Sequence, residues 1–234
     1  MRDLTVTAAQ TDGPSLVTEH LAEAIRMATR AEMMDHSGHG SARRDGESFY
    51  INSAASVRWA LTAADIVTVD LDGHVLGGIG RAPLEYPLHA EIYRARPEVQ
   101  SVLHTHPRWS TLLTMVGVPV RPVFGQGALL GDVPVVDSPL SVNTRPLAET
   151  VAAVLGSRPA VLLKAHGAVI VGASVVECFA LAAYLEENAC RQYMAMQIGD
   201  PYVFSEAEQE ACRERLWSPG LFQKAWDHYR AKLS

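Results

Sequence analysis

Between Ala64 and Leu76 the chain reads Ala-Asp-Ile-Val-Thr-Val-Asp-Leu-Asp-Gly-His-Val-Leu, two short β-prone runs broken at Asp72-Gly73. A turn this tight has no room for a crossover helix, so the strands it joins run antiparallel. Other strand-like runs follow: Phe49–Asn52 before it, then Val99–Thr105, Val118–Val123 and Ala160–Ile170, the last a strand or a strand pair. Between them lie isolated helical stretches. Thr18 is an N-cap candidate for a helix to Asp35, with Leu21, Ala24, Ile25, Ala28 and Ala31 at helical spacing. Leu84–Ala95 is a second helix, its Pro87 tolerated in the first turn. Further helices are expected over Pro146–Leu155, Val175–Ile198 and Ser205–Trp217, ahead of a tail holding Trp226 and Tyr229. Ser37–Gly46 is small and polar and reads as a loop or a tight edge. Strands without helices between them, alternating with single helices, predict an α/β protein with a mixed, largely antiparallel sheet covered by helices. No Gly-rich loop follows a strand, so a dinucleotide fold has no support.

The chain has 234 residues, 48% apolar and 20% charged, as an ordinary globular protein does. A formal charge of -6 argues against nucleic acid as a partner, because phosphate binding needs a basic face. No apolar run approaches the roughly 18–20 residues of a membrane span. The opening Met-Arg-Asp-Leu-Thr-Val-Thr lacks the apolar core of a signal peptide. The 3 cysteines, Cys178, Cys190 and Cys212, are scattered and odd in number, so reduced thiols and a cytoplasmic location are expected.

The chemistry concentrates in Ser101-Val-Leu-His-Thr-His-Pro. Side chains alternate along a strand, so His104 and His106 share a face and can take adjacent positions on one small cation. His166, on the apolar run Leu162-Leu-Lys-Ala-His-Gly-Ala-Val-Ile, is the best source of a third imidazole. Three neutral imidazoles suit zinc, manganese, iron or cobalt and leave positions open for substrate. A lone strand histidine is more often a surface or satisfied core residue, and spacing alone leaves both readings standing. His20, His36, His74 and His228 lack such a setting and are expected at the surface.

The stretch from Glu85-Tyr-Pro-Leu-His-Ala-Glu through Val102-Leu-His-Thr-His-Pro closely resembles the class II aldolase/adducin family. So do Lys164-Ala-His-Gly and Gly38-His-Gly-Ser-Ala-Arg, and the likeness runs from about Thr18 to Met196. It implies a single domain over residues 1–234, with three layers α/β/α. It implies one divalent metal per subunit (Zn, Mn, Fe or Co) on His104, His106 and His166, with Glu85 joining them or acting as acid/base. It also implies a homotetramer or larger ring with sites at subunit boundaries; Tyr202, Trp217 and Tyr229 are C-terminal aromatics that could reach a neighbour. Glu85 has a plainer reading as a helix-start glutamate favoured by the dipole. Glu91 and His89 are its nearby rivals.

The departures from the sugar-phosphate members bear on substrate. Those members carry Gly-Asn-x-Ser, a Thr-x-Thr-Gly-like loop and a Ser-Ser pair before the acid. Here the same places read Gly38-His39-Gly40-Ser41, Asn52-Ser-Ala-Ala-Ser56 and Ala82-Pro83-Leu84. The pattern resembles a branch of decarboxylases of hydroxylated aromatic acids. It implies loss of carbon dioxide from an ortho-hydroxylated aromatic (di)acid in aromatic catabolism, with 3,4-dihydroxyphthalate going to protocatechuate as the lead. Glu85 is the first expected proton-transfer residue and His39 the second, or else a substrate hydrogen-bond donor. Arg43 and Arg58, and with a weaker claim Arg81, are expected to hold a retained carboxylate. The alternatives are an aldolase on a sugar phosphate or on a non-phosphorylated hydroxy- or keto-acid, and a non-catalytic binding domain like the adducin head, which would have lost these ligands.

Overall fold

The computed structural model describes residues 14–233; the reading of Met1–Thr7 lies outside them. The strands are β1 (His39–Arg43), β2 (Ser48–Asn52), β3 (Ile66–Asp70), β4 (Val75–Gly77), β5 (Ser101–Thr105), β6 (Val135–Val136), β7 (Ala160–Leu163) and β8 (Gly167–Gly172). They form one sheet in the order β4-β3-β2-β1-β5-β8-β7-β6, antiparallel throughout except for β6 against β7. The helices are α1 (Pro14–Arg30), α2 (Tyr86–Ala95), α3 (Arg108–Met115), α4 (Arg145–Leu155), α5 (Val175–Met196), α6 (Glu206–Leu216) and α7 (Pro219–Arg230). The mixed, largely antiparallel α/β sheet is as expected. None of these helices is long and apolar enough to cross a membrane.

Strand alternation sorts the buried side chains into two cores. Leu103, Leu162, Ala168 and Ile170 join residues of α1 and α5 in one. Val102, Val161, Leu163, Val169 and Val171 join residues of α2 and α4 in the other. In β5, His104 is two residues from Val102 and so shares the α2 side.

Four expectations change. The segment read as a loop, Ser37–Gly46, contains β1, paired on both sides in the middle of the sheet. It carried no apolar signal because His39 and Ser41 face α2, while the opposite positions are small. A Cβ on Gly40 would lie 2.6 Å from Leu103 Cδ2. Thr18 is not a cap: it lies inside α1, and its hydroxyl donates to the Ser15 carbonyl. The same helix stops at Arg30, before Asp35. Glu32 has φ 57°, and the amides of Met33 and Met34 both turn back to the Ala28 carbonyl.

The strand expected at Val118–Val123 is extended chain with no strand partner. Val118 N donates to the Leu113 carbonyl and the Pro122 carbonyl accepts from Phe204 N, both at 2.9 Å, while the rest of its backbone bonds go to side-chain amides of α5. Arg121 N donates to Gln192 Oε1 at 2.8 Å and Gln192 Nε2 to the Pro119 carbonyl at 2.8 Å. Val123 N donates to Asn188 Oδ1 at 3.0 Å and Asn188 Nδ2 to the Arg121 carbonyl at 2.8 Å. The tail with Trp226 is α7, which buries that ring to 1% exposure. α3 and β6 were not expected at all; they are short, and neither has a long apolar period to read.

Candidate active site

β1 and β5 pair so that His39 stands directly opposite His104, their ring centroids 4.9 Å apart. His106 follows as β5 ends, and its Nε2 lies 3.1 Å from His104 Nε2. His166 comes from the tight β7–β8 connection, which Ala165 closes at φ 53°. The Ala165 amide donates to the Thr114 hydroxyl at 2.9 Å, and the His166 amide to the Leu163 carbonyl at 3.1 Å. An L-residue in that conformation stores strain of roughly 1–2 kcal/mol, a feature found where a site over-determines its backbone. The residue after His166 must be glycine, because a Cβ on Gly167 would fall 2.3 Å from the Thr105 carbonyl and 2.9 Å from His106 Cδ2.

Glu85 is the N-cap residue of α2 yet caps nothing. Its side chain turns into the histidines instead: Oε2 is 3.3 Å from His39 Nε2 and 3.5 Å from His104 Nε2, and Oε1 is 3.9 Å from His166 Nε2. Oε1 also accepts from the Val142 amide at 2.6 Å. Burial would push this carboxyl up. The hydrogen bond from His39, the potential of His104 and His39, and the Val142 amide outweigh it and hold Glu85 well below the usual carboxylate range. Burial pushes His104 well below the ordinary histidine value, and lowers His39 and His166 against the pull of Glu85.

One nitrogen from each of His104, His106 and His166 lies within 4.8 Å of the others, and His39, Glu85 and His104 form a second such group. The outer nitrogens decide the tautomers. His104 Nδ1 donates to the Ala168 carbonyl at 3.1 Å, and His106 Nδ1 to Asp35 Oδ1 at 2.8 Å. Neutral rings pinned that way turn two bare nitrogens toward each other across 3.1 Å, an arrangement that a cation between them relieves. The donor set therefore fits a divalent metal.

The remaining expected residues separate. Arg58 is 4% exposed: Nε donates to the Gly38 carbonyl at 2.6 Å, and Nη1 grips the Ser53 carbonyl, the Ser56 carbonyl and the Ser56 hydroxyl. Its charge sits close enough to lower His39 and to be held by Asp35. Arg43 is elsewhere. Four residues past His39 on the same strand, it is roughly 13 Å along the sheet. Its guanidinium is spent on the carbonyls of Val99, Tyr93 and Arg96. The expectation that Arg43 grips substrate is corrected on that ground. Arg81 is exposed at the surface. Glu91 pairs with Arg94 and Arg145 rather than with the histidines. His36, His74 and His228 are exposed, whereas His20 packs edge-on against Trp226 at 5.4 Å.

Asp35 escaped the sequence reading. It accepts from the amides of Ser37 and Gly38 as well as from His106, far along the chain. Only the Asp-x-Ser-Gly turn pattern hinted at an oriented carboxylate there. His89, a rival to Glu85 in sequence, instead hydrogen-bonds His39, Nε2 to Nδ1, at 2.7 Å.

Residues 19–194 match the family model described as class II aldolase and adducin N-terminal domain. The chain belongs to the class II aldolase and adducin family. It is 34% identical over 230 residues to a 3,4-dihydroxyphthalate decarboxylase of Terrabacter sp. (strain DBF63), covering 91% of this chain and 95% of that protein. It is 29% identical over 154 residues to an L-fuculose phosphate aldolase of Methanocaldococcus jannaschii, covering 65% and 82%. Among solved structures, an aldolase II superfamily protein from Pseudomonas syringae superposes with a TM-score of 0.82 at 26% identity, covering 95% of this chain and 94% of that one.

Proposed function

We propose that the chain is a metal-dependent decarboxylase of an ortho-hydroxylated aromatic (di)acid, with 3,4-dihydroxyphthalate the lead substrate and protocatechuate its product. The carrying observation is the pair of bare nitrogens on His104 and His106 beside an ionised Glu85. The decarboxylase relative that matches nearly the whole chain supports the choice of reaction. In this reading one domain, layered α/β/α, carries the whole site.

His104, His106 and His166 would hold the cation, with Glu85 beside them. A divalent metal of the zinc, manganese, iron or cobalt kind supplies Lewis acidity toward the substrate oxygen next to the breaking bond. Glu85, ionised at rest, takes the proton of the substrate hydroxyl. It returns that proton to the ring carbon that bears the departing carboxylate. The carbon–carbon bond then breaks, its electron pair returns to the ring, carbon dioxide leaves, and one solvent proton completes the phenol. His39 faces the same space, as the second proton-transfer candidate or as a substrate donor. Arg58, buried next to it, contributes the positive charge that favours a retained carboxylate. The reading carries with it a cytoplasmic homotetramer or larger ring, whose size sedimentation measures.

The likeness to L-fuculose phosphate aldolases favours a second reading, aldol cleavage of a sugar phosphate or of an unphosphorylated hydroxy- or keto-acid. A panel of catechol carboxylates, dihydroxyphthalates and sugar phosphates, assayed after metal reconstitution, separates the two. Carbon dioxide release from an aromatic acid is the expected outcome. Turnover of fuculose or ribulose phosphates, with every aromatic acid inert, overturns the decarboxylase assignment.

A further inference from the structure

Behind Glu85 and His39 runs a line of polar groups that the proposed reaction does not use. His39 Nε2 lies 3.3 Å from Glu85 Oε2, and His39 Nδ1 lies 2.7 Å from His89 Nε2. His89 Nδ1 lies 2.6 Å from the Ser41 hydroxyl, which lies 2.8 Å from the Tyr93 hydroxyl. His39, Ser41, His89 and Tyr93 are all exposed by 2% or less, so water does not substitute for any link. Ser41 comes from β1, and His89 and Tyr93 stand one turn apart on α2.

We propose that His89, Ser41 and Tyr93 form a positioning chain that locks His39 with its proton on Nε2, making it a fixed hydrogen-bond donor to the substrate's retained carboxylate rather than a proton-transfer group. The substrate half of this statement rests on the decarboxylase reading; the tautomer half rests on geometry alone.

Counting protons fixes the direction. A carboxylate only accepts, so His39 Nε2 carries the hydrogen that points at Glu85. Nδ1 of the same neutral ring is then bare and accepts from His89 Nε2–H. His89 Nδ1, bare in turn, accepts the Ser41 hydroxyl hydrogen, and the Ser41 oxygen accepts from the Tyr93 hydroxyl. Each link inside the chain uses one donor and one acceptor, and reversing the order sets a bare nitrogen against a carboxylate. The Nε2–H itself, 3.3 Å from Glu85 and so long for a bond to a charged acceptor, remains available to a substrate carboxylate.

The far end of the chain is closed. If His39 gave up its Nε2 proton, Nδ1 would draw one from His89, His89 from Ser41 and Ser41 from Tyr93, leaving a phenolate in the core. Burial pushes the Tyr93 phenol above its ordinary value, and the Arg43 guanidinium 4.6 Å over its ring does not offset that. The chain therefore orients a proton without conducting one. Glu85 is left as the group that moves it.

The test uses the protein labelled with [15N]histidine and loaded with zinc, with His39 assigned through His39→Asn. Two-bond correlations are expected to show His39 with Nδ1 bare and Nε2 protonated. His89→Leu is expected to mix or invert that pattern. On whichever aromatic acid the enzyme turns over, it should raise KM by about 10- to 100-fold, the worth of a hydrogen bond to a charged group. In that variant kcat should stay within about threefold and zinc content should not change. His89→Gln, whose amide donates to His39 and accepts from Ser41, is expected to restore both the tautomer and KM. If His89→Leu does not fold, Ser41→Ala and Tyr93→Phe test the same links, with smaller KM increases in the order of their distance from His39. Wild-type His39 protonated on Nδ1 overturns the proposal, as does a His89→Leu variant that loses kcat with KM unchanged. Because the tautomer is read without substrate, the expected pattern in a protein inert toward every aromatic acid supports the chain and removes only the substrate assignment.

Discussion

His39 and Arg43 open and close the same five-residue strand and point to the same side of the sheet, yet one lies in the site and the other is a brace. Both are polar and partnered. The difference is what they meet. At the His39 end the neighbours are titratable side chains, Glu85, His104 and His89. At the Arg43 end they are three backbone carbonyls, of Tyr93 in the last turn of α2 and of Arg96 and Val99 just after it, which take Nε and Nη2 of the guanidinium. An arginine committed to carbonyls of the fold can still lend a site its charge, as Arg58 does beside His39. Arg43 is committed in the same way but far from the histidines.

His106→Ala removes a nitrogen from the histidine group, and bound metal and activity are expected to disappear together; metal analysis beside an activity assay shows whether they do. Glu85→Gln keeps the shape and loses the charge. It should retain metal while kcat falls by about 10²- to 10⁴-fold, the range for a positioned acid/base, and undiminished turnover removes Glu85 from the mechanism. At the other end, Arg43→Met should cost roughly 1–3 kcal/mol, because partly buried carbonyls lose their donors. Its kcat/KM per folded molecule should stay within about threefold, so a thermal melt moves and the assay does not. A large KM increase there would return Arg43 to the substrate.

The smallest effect concerns pH. Burial pushes His89 well below its ordinary value of 6.5, so the native state keeps it neutral. Below about pH 6.5 the unfolded chain binds a proton there that the native one refuses, and stability falls as pH drops from that point toward the native value. Melting temperatures measured from about pH 7.5 down to about 5.5 should decline, and His89→Gln, with nothing to protonate, should decline less steeply.

Much of this was legible in sequence, for identifiable reasons. The Asp72-Gly73 turn and the runs around it appear as β3 and β4, and the two-residue spacing of His104 and His106 survives as adjacent nitrogens. What was lost has its own logic. β1 is a central strand without apolar residues on its site-facing side, so a hydrophobic pattern could not find it. Asp35 and the partner groups of Arg43 are set by contacts between distant segments, which no local spacing encodes.

The extended stretch from Pro119 to Val123 offers a last consequence. A strand beside a strand meets the same backbone pattern every two residues, so its register is set by which side chains face the core and not by the ladder itself. Here the neighbour is a helix presenting two amides one turn apart, Asn188 and Gln192, with nothing equivalent before or after them to receive a displaced chain. With the Phe204 amide on the Pro122 carbonyl as a further fixed point, the segment is keyed at a few teeth instead of zipped along a ladder, so an inserted residue must bulge outward and leave them engaged.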